Sequence, residues 1–589
     1  MELFFVEEMG DLLKPKDMEM LKRVSLGEEK ADLVISGGDL VNVYSGELLK
    51  DYSVAIKERW VAFVGPDASH SIGPDTEVID ASGKVLIPGF VDGHAHMILY
   101  GRLDEVLRYA MMGGTTTIIT EIMEFIYPLG YSGLIGLLDN LRDQPVKVFA
   151  TVPTSITFSR DAQKRAPSVG ELIELLHRQE VLGVGEGFWQ EVLRGDTNFA
   201  TLSAEALRLR KTIEGHAAGC RAEKLSAYAD FGVSSCHESI SAEEVLEKLR
   251  LGIYVMIREG SIRRELEAIA KIRDMPLDFR RLALVSDGVD PRDLTENGYM
   301  ESVVQHAINL GFDPIVSIQM ATLNPAEHFG LDNILGGIAP GKHADILIIP
   351  ELQTVKAETV ISKGLTIAQD GELKVKPREV SLPLKGLEGS SVNAPDFTVR
   401  TDGKNLVKVR VMDQVSELVT RESFLELKPQ DGELRVDPET DLLKVSHISC
   451  EGRIFTGFIK GHGFGAGALA TSDVWETSGI TVVGANEEDM ALAVNRIYEL
   501  GGGVVLYVNG QMQAELPLPI AGLITRLSME ETAQRLHAIQ RKAEALGFPY
   551  PNAALTLATL TTPAIPFLRI SEDGLVDVRS GQVVELLVS

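Results

Sequence analysis

Between positions 85 and 286, short apolar runs rich in Val, Ile and Thr alternate with longer stretches in which Leu and Ala recur among Glu and Arg. Short apolar runs that end in polar residues predict strands. Eight stand out, at 85–91, 116–120, 146–152, 182–185, 212–215, 232–235, 253–257 and 282–285. Stretches such as 204–210 and 242–251 predict the helices between them. Eight βα units in about 200–250 residues are the arithmetic of a closed (β/α)8 barrel. An open doubly wound sheet would need a glycine-rich phosphate turn after its first strand. Here the sequence reads Pro-Gly-Phe-Val-Asp-Gly-His-Ala-His (88–96) instead.

Short β-type runs separated by glycine turns flank the barrel on both sides, at 32–36, 40–44, 54–57 and 60–64, then at 338–350 and 356–368. The simplest organisation is a small antiparallel β-sandwich, 31–87 and 337–380, with the barrel, 88–336, inserted in it. Residues 1–30 read as one amphipathic acidic helix, and 381–397, with its Pro, Gly and Ser, as a linker. A C-terminal α+β domain is expected over 398–589, with strands near 406–411, 481–483 and 504–508.

A chain of 589 residues suffices for roughly three or four such domains. Its formal charge of −28 opposes nucleic-acid phosphates and an anionic membrane surface, and leaves a small neutral or weakly cationic substrate compatible. Cys220, Cys236 and Cys450 are far apart and form no C-x-x-C pair, which argues against a disulfide framework and a thiolate zinc site. The first residues, Met-Glu-Leu-Phe-Phe-Val-Glu-Glu, lack the basic start and apolar run of a signal peptide. No charge-free apolar run reaches the roughly 18 residues of a membrane span. A soluble, reduced, cytoplasmic protein is expected.

A barrel enzyme works where its strands end, because the βα loops converge there. The predicted first strand ends in His94 and His96, the fourth in Glu186, the fifth in His216, the sixth in His237 and the eighth in Asp287. Taken singly, each has an ordinary use: a hydrogen-bonded histidine, a surface glutamate, an aspartate capping the next helix. Taken together, four imidazoles and two carboxylates on one barrel face are a donor set for zinc, manganese or iron. An i, i+2 pair in a strand puts both imidazoles on one side, so both can reach one ion. Metal binding lowers the pKa of a bound water and makes a nucleophile of it at neutral pH.

With these motifs the chain resembles the amidohydrolase superfamily, and within it the bacterial adenine deaminase family, as a divergent member. Residues 88–96 look like the superfamily's first metal motif. Gly-Thr-Thr-Thr-Ile-Ile-Thr (114–120), Glu-Gly-His-Ala-Ala-Gly (214–219), Cys-His-Glu-Ser (236–239) and Tyr-Val-Met-Ile-Arg-Glu-Gly-Ser (254–261) resemble adenine deaminase segments. So do Gly-Phe-Ile-Lys-Gly (457–461), Val-Val-Gly-Ala-Asn-Glu-Glu-Asp-Met (482–490) and Leu-Pro-Leu-Pro-Ile-Ala-Gly-Leu (516–523) near the end of the chain.

The resemblance implies that His94, His96 and Glu186 are metal ligands, with Glu186 bridging two divalent ions and His216 and His237 on the second. Asp287 would bind metal and take a proton from the nucleophilic water. The ions implied are manganese or iron, with zinc the alternative. The implied reaction is attack of a metal-bridging hydroxide on C6 of adenine, giving hypoxanthine and ammonia. Asp287 and Glu238 are the candidates for the proton shuttle to the leaving nitrogen. A homodimer and a small-molecule purine substrate, with no nucleic acid or membrane partner, are likewise implied.

Some family positions differ. Met97-Ile98-Leu99-Tyr100 replaces a typical Ile-Glu-Ser-Ser, and Glu121-Ile122-Met123-Glu124 replaces Asp-Pro-His-Glu. Trp475-Glu476-Thr477-Ser478 replaces His-Asp-Ser-His. Such losses of polar groups weaken recognition of a polar ring, so hydrolysis of another small cyclic amine or amide stands as the alternative. A metal-binding protein without catalysis is a lesser one. His328, His343 and His462 read as structural, and Gly463–Gly467 as a tight turn without the lysine of a phosphate loop.

Overall fold

The computed structural model describes residues 12–379, 385–401 and 405–588. Eight parallel strands close into a barrel in chain order: Phe90–His96, Thr115–Thr120, Lys147–Val152, Val181–Phe188, Thr212–His216, Ser235–Cys236, Tyr254–Arg258, and Leu282–Val285 continued by Asp287–Gly288. Asp287 and Gly288 pair with Ala95 and His96, joining the last strand to the first. Helices such as Val169–Leu176 and Thr197–Arg208 lie between the strands, capped by the side chains of Ser168 and Asp196. Those caps satisfy backbone N–H groups that the first helical turn leaves open.

The strand expected at 85–91 divides at Gly89. Val85–Pro88 lies in the outer sheet, antiparallel to Ile346–Ile349, and its last residue lacks the N–H that a ladder needs. A Cβ on Gly89 would meet the side chain of Thr116 at 2.4 Å, so the crossing between sheets takes a residue without one. The barrel strand starts at Phe90, and the histidine pair lies inside it rather than beyond its end.

The outer sheet is mixed rather than antiparallel: Glu77–Asp80 and Val85–Pro88 both run parallel to Leu33–Asn42. Its nine strands are hydrogen-bonded as one sheet, drawn from 33–88 and 346–373. Residues from both ends nevertheless share a core, with Val54, Ile56 and Val61 in one cluster with Ile346, Ile348 and Ile361. The sheet thus folds over on itself. Of the helix expected over 1–30, Pro15–Ser25 is helical and buries Leu21 and Val24 in a cluster with Ala55 and Trp60; residues 1–11 lie outside the described residues.

In the expected linker, 385–393 carries no regular element and Ala394–Phe397 forms a 3-10 turn. This segment is fastened to the body, with Leu387 N donating to Gly501 O at 2.7 Å and Val392 N to Asn495 Oδ1 at 2.9 Å. Beyond it a second nine-stranded sheet carries the helix Glu487–Leu500, with Met529–Ala545 further along the chain. The barrel and this domain interlock. Leu99, Tyr100 and Ile262, from barrel loops, join the C-terminal core, while Leu523, Ile524 and Met529 join the barrel core.

Candidate metal centre

The first barrel strand presents His94 and His96 to the same side, because side chains alternate along a strand. Glu186 is carried by the fourth strand, which runs on to Phe188 and so holds it inside the sheet. His216 ends the fifth strand, and His237 directly follows the sixth. Ser286 interrupts the eighth strand, and Asp287 beyond it has a φ of 59°. Aspartate tolerates this left-handed conformation better than most residues. Fully buried Asp92 of the first strand fixes the break, accepting from Ser286 Oγ at 2.5 Å and Ser286 N at 3.2 Å.

Glu186 is the hub. Its Oε1 lies 3.2 Å from His94 Nε2, 3.1 Å from His96 Nε2 and 3.4 Å from His237 Nε2. Its Oε2 lies 3.0 Å from His216 Nδ1. Asp287 Oδ1 is 3.7 Å from His94 Nε2 and 3.5 Å from His96 Nε2. Among the described residues, His94, Glu186, His237 and Asp287 bring ligand atoms within 4.8 Å of one another, and so do His216, His237 and Glu238. His237 thus belongs to both groups, whereas His96 sits beside the first. All six residues that the sequence analysis nominated as ligands, and Glu238, meet at one place.

The donor set fits divalent cations. Nitrogen and carboxylate oxygen ligands suit zinc, manganese and iron. Buried His216 Nε2 has no hydrogen-bond partner, and His94 Nε2, though near Glu186, makes no aligned hydrogen bond. Buried polar atoms rarely stay unpaired, and such an orphan marks a place for an ion or water. The two oxygens of Glu186 face different imidazoles, Oε1 those of His94, His96 and His237 and Oε2 that of His216.

The charges of the cluster hold one another. Burial opposes ionisation of Glu186, yet His237, His216, His94 and His96 hold its carboxyl well below the usual range. Burial also opposes a charged His216, but Glu238 and Glu186 lift it to about 9. Metal binding would compete with these protons, so affinity for the ion falls as pH falls.

The sequence analysis missed two residues of this shell. Arg258 ends the seventh strand; it is buried and grips Glu238 with two nitrogens, one of them NH2 to Oε2 at 3.1 Å, while NH1 lies 3.4 Å from Asp287 Oδ2. Against the cost of burial, Arg258 and then His216 hold Glu238 well below the usual carboxylate range. Glu121 follows the second strand, 3.8 Å from His94 Nδ1, and burial pushes it up to about 7. A Cβ on Gly185 would meet Glu121 Oε2 at 2.2 Å, so that glycine makes room for the carboxyl. The strand-end rule that found the histidines would have found both, had it been applied to Arg258 and Glu121 as well.

The cluster opens into a cavity of about 870 Å³. Its barrel side carries His96, Glu124, Glu186, His216, His237, Glu238, Arg258 and Asp287. The opposite side belongs to the C-terminal domain: Leu418, Val419, Asp473, Trp475, Glu476, Ile565 and Phe567. Ile240 and Phe567, 56% and 42% exposed, lie where the cavity meets solvent. Of the positions that differ from the family, Met123, Leu99, Trp475 and Glu476 line this cavity, while Ile98 packs in the barrel core. His328 pairs with Glu214 at 2.9 Å, and both are buried, the structural role expected for it.

Comparison with known proteins agrees with this layout. The amidohydrolase family model matches residues 85–404, and the adenine deaminase C-terminal domain model matches 417–582. An adenine deaminase of Moorella thermoacetica is 38% identical, covering 96% of this chain and 97% of its own. One from Clostridium botulinum is 33% identical with the same coverage. One from Cenarchaeum symbiosum is 32% identical over 97% of this chain and 95% of its own.

Proposed function

The chain belongs to the amidohydrolase family and to its adenine deaminase members, and on that premise we propose that it hydrolyses adenine to hypoxanthine and ammonia. The observation that carries the reading is the convergence of four imidazoles, Glu186 and Asp287 at the floor of a cavity that an adenine-deaminase-type domain closes.

In this reading His94, His96, Glu186, His216, His237 and Asp287 would hold two divalent cations, manganese or iron as the family resemblance implies, with zinc the alternative. Bound there, the cations supply a water of lowered pKa and charge stabilisation for the addition. Asp287 takes a proton from the attacking water as the C6–O bond forms. It returns that proton to the exocyclic nitrogen, which leaves as ammonia when the C6–N bond breaks. Glu238 has both oxygens engaged by Arg258 and lies 3.3 Å from His237 Nε2. That supports a positioning role for Glu238 more than a shuttle. Closure by the C-terminal domain limits bulk water, which strengthens every charge interaction inside. The three cysteines form no disulfide, in keeping with a reducing compartment such as the cytoplasm.

The test is metal analysis of the purified protein together with ammonia release from a panel of purines and cyclic amides. Two tightly held divalent ions and turnover of adenine are expected. Tight metal binding with turnover of a cyclic amide alone would overturn the substrate and keep the metal centre.

A further inference from the structure

The C-terminal wall of the cavity is mostly apolar, and one polar side chain on it has no partner for its outer atom. Glu476 lies on the loop between the strands Ala468–Thr471 and Gly479–Gly484. Its φ of 53° is a strained value for a residue with a side chain. The residues before it are tied down: Trp475 N donates to Ala558 O at 3.1 Å, Thr561 Oγ1 donates to Trp475 O at 2.8 Å, and Asp473 N donates to Thr471 Oγ1 at 3.0 Å. Strain held by a rigid loop at a cavity wall marks a side chain aimed for use.

The carboxyl is buried and shares one hydrogen bond with Thr562, while Oε2 is shielded from solvent and unpartnered. Among the described residues Glu476 forms no ion pair. Arg569, whose charge interacts with it, is already committed to the carbonyls of Leu418, Ile565 and Pro566. Glu476 lines the same cavity as Glu186, Glu124 and His96.

We propose that Glu476 is a substrate-selecting residue, whose carboxyl hydrogen-bonds the ring edge opposite the reacting carbon. This deepens the adenine reading and rests on it. Burial, with the charges of Glu186 and Glu124 adding to it, pushes the carboxyl up to about 8. As an acid or as a carboxylate it offers Oε2, an acceptor without a partner. A free purine presents a donor to it on the edge away from C6, the N9 hydrogen. A substituent on N9 removes that hydrogen and leaves the acceptor of Glu476 unpaired, a costly outcome in a buried site. The wall thus selects the free base over N9-substituted purines.

The test compares kcat/KM for adenine and 9-methyladenine in the metal-loaded wild type, Glu476→Gln and Glu476→Leu, with melting curves and metal content as controls. Gln keeps an acceptor oxygen, so the preference for adenine should survive within about threefold. Leu keeps the volume without an acceptor, so adenine kcat/KM should fall at least about tenfold, and the preference should fall with it. A merely structural glutamate would lower both substrates together and leave their ratio alone. An unchanged ratio in Glu476→Leu, with adenine still turned over, would overturn this inference and spare the deaminase reading. No ammonia from adenine with the wild type would overturn both.

Discussion

The two walls of the cavity are built on opposite plans. On the barrel side every ionisable group is held by others: Glu186 by four imidazoles, Glu238 by Arg258, Asp287 by the kinked eighth strand that Asp92 fixes through Ser286. On the C-terminal side Trp475, Leu418, Ile565 and Phe567 make an apolar surface interrupted by Asp473 and Glu476, two carboxyls that burial pushes up to about 7 and about 8. A densely coupled charge network keeps Glu186 and Glu238 ionised and fixed, as bond-breaking chemistry needs. A sparse wall leaves its polar atoms for whatever enters. In the proposed reading one side carries out the reaction and the other chooses the reactant.

The largest effect should come from the barrel wall. Asp287→Asn keeps the shape and one oxygen but cannot accept the proton. We expect kcat to fall by about 10³-fold or more, with two metal ions still present by elemental analysis. The comparison breaks if this variant keeps wild-type turnover, for the barrel wall would then lack the base that the reading assigns to it.

Arg258→Met comes next. It removes the cation that faces Glu238 and Asp287, and breaking a buried pair from one side costs about 3–5 kcal/mol. With Arg258 gone, Glu238 loses its main counter-charge, so its carboxyl should rise toward the ordinary range or beyond it. The melting temperature should drop and kcat should fall together. A folded variant with wild-type kcat would show that Arg258 is packing alone.

How much of this was legible in the sequence follows the same division. The barrel strands and the six residues of the cluster could be read because each βα unit repeats one local rule, an apolar run ending in polar side chains. The rule failed at 85–91, where one apolar run serves two sheets and only Gly89 marks the change. Arg258 and Glu121 obey it too, but a guanidinium is no metal ligand and Glu121 lies in a segment that departs from the family pattern. The C-terminal wall could not be read this way. Its residues come from loops near 418, 475 and 566, brought together by folding rather than by a repeat. Trp475 and Glu476 were visible only as departures from a family pattern. That Leu99, Met123, Trp475 and Glu476 line one cavity, while Ile98 retreats into the core, took the fold to see.

The smallest effect probes how the two walls are kept in register. Asp161, in the barrel loop after the third strand, accepts from Ser449 Oγ at 2.5 Å and Arg453 Nε at 2.9 Å; Arg453 also meets Glu572 at 3.0 Å. Arg453 leads the influences that hold the Asp161 carboxyl below the usual carboxylate range. A depressed pKa means that the folded protein favours the carboxylate, so the clasp contributes above about pH 4 and weakens as pH falls below it. The Arg453 side chain is 42% exposed, and solvent screens part of the interaction. Arg453→Leu should therefore lower the melting temperature by only a few degrees at pH 7, with the gap from wild type closing as the pH is taken down from 4. Adenine kcat/KM should change less than about threefold, since the interlocked cores around Tyr100 and Leu523 still align the walls. A large loss of activity without loss of stability would mean that the clasp, rather than those shared cores, sets the distance between the reacting and the selecting side of the cavity.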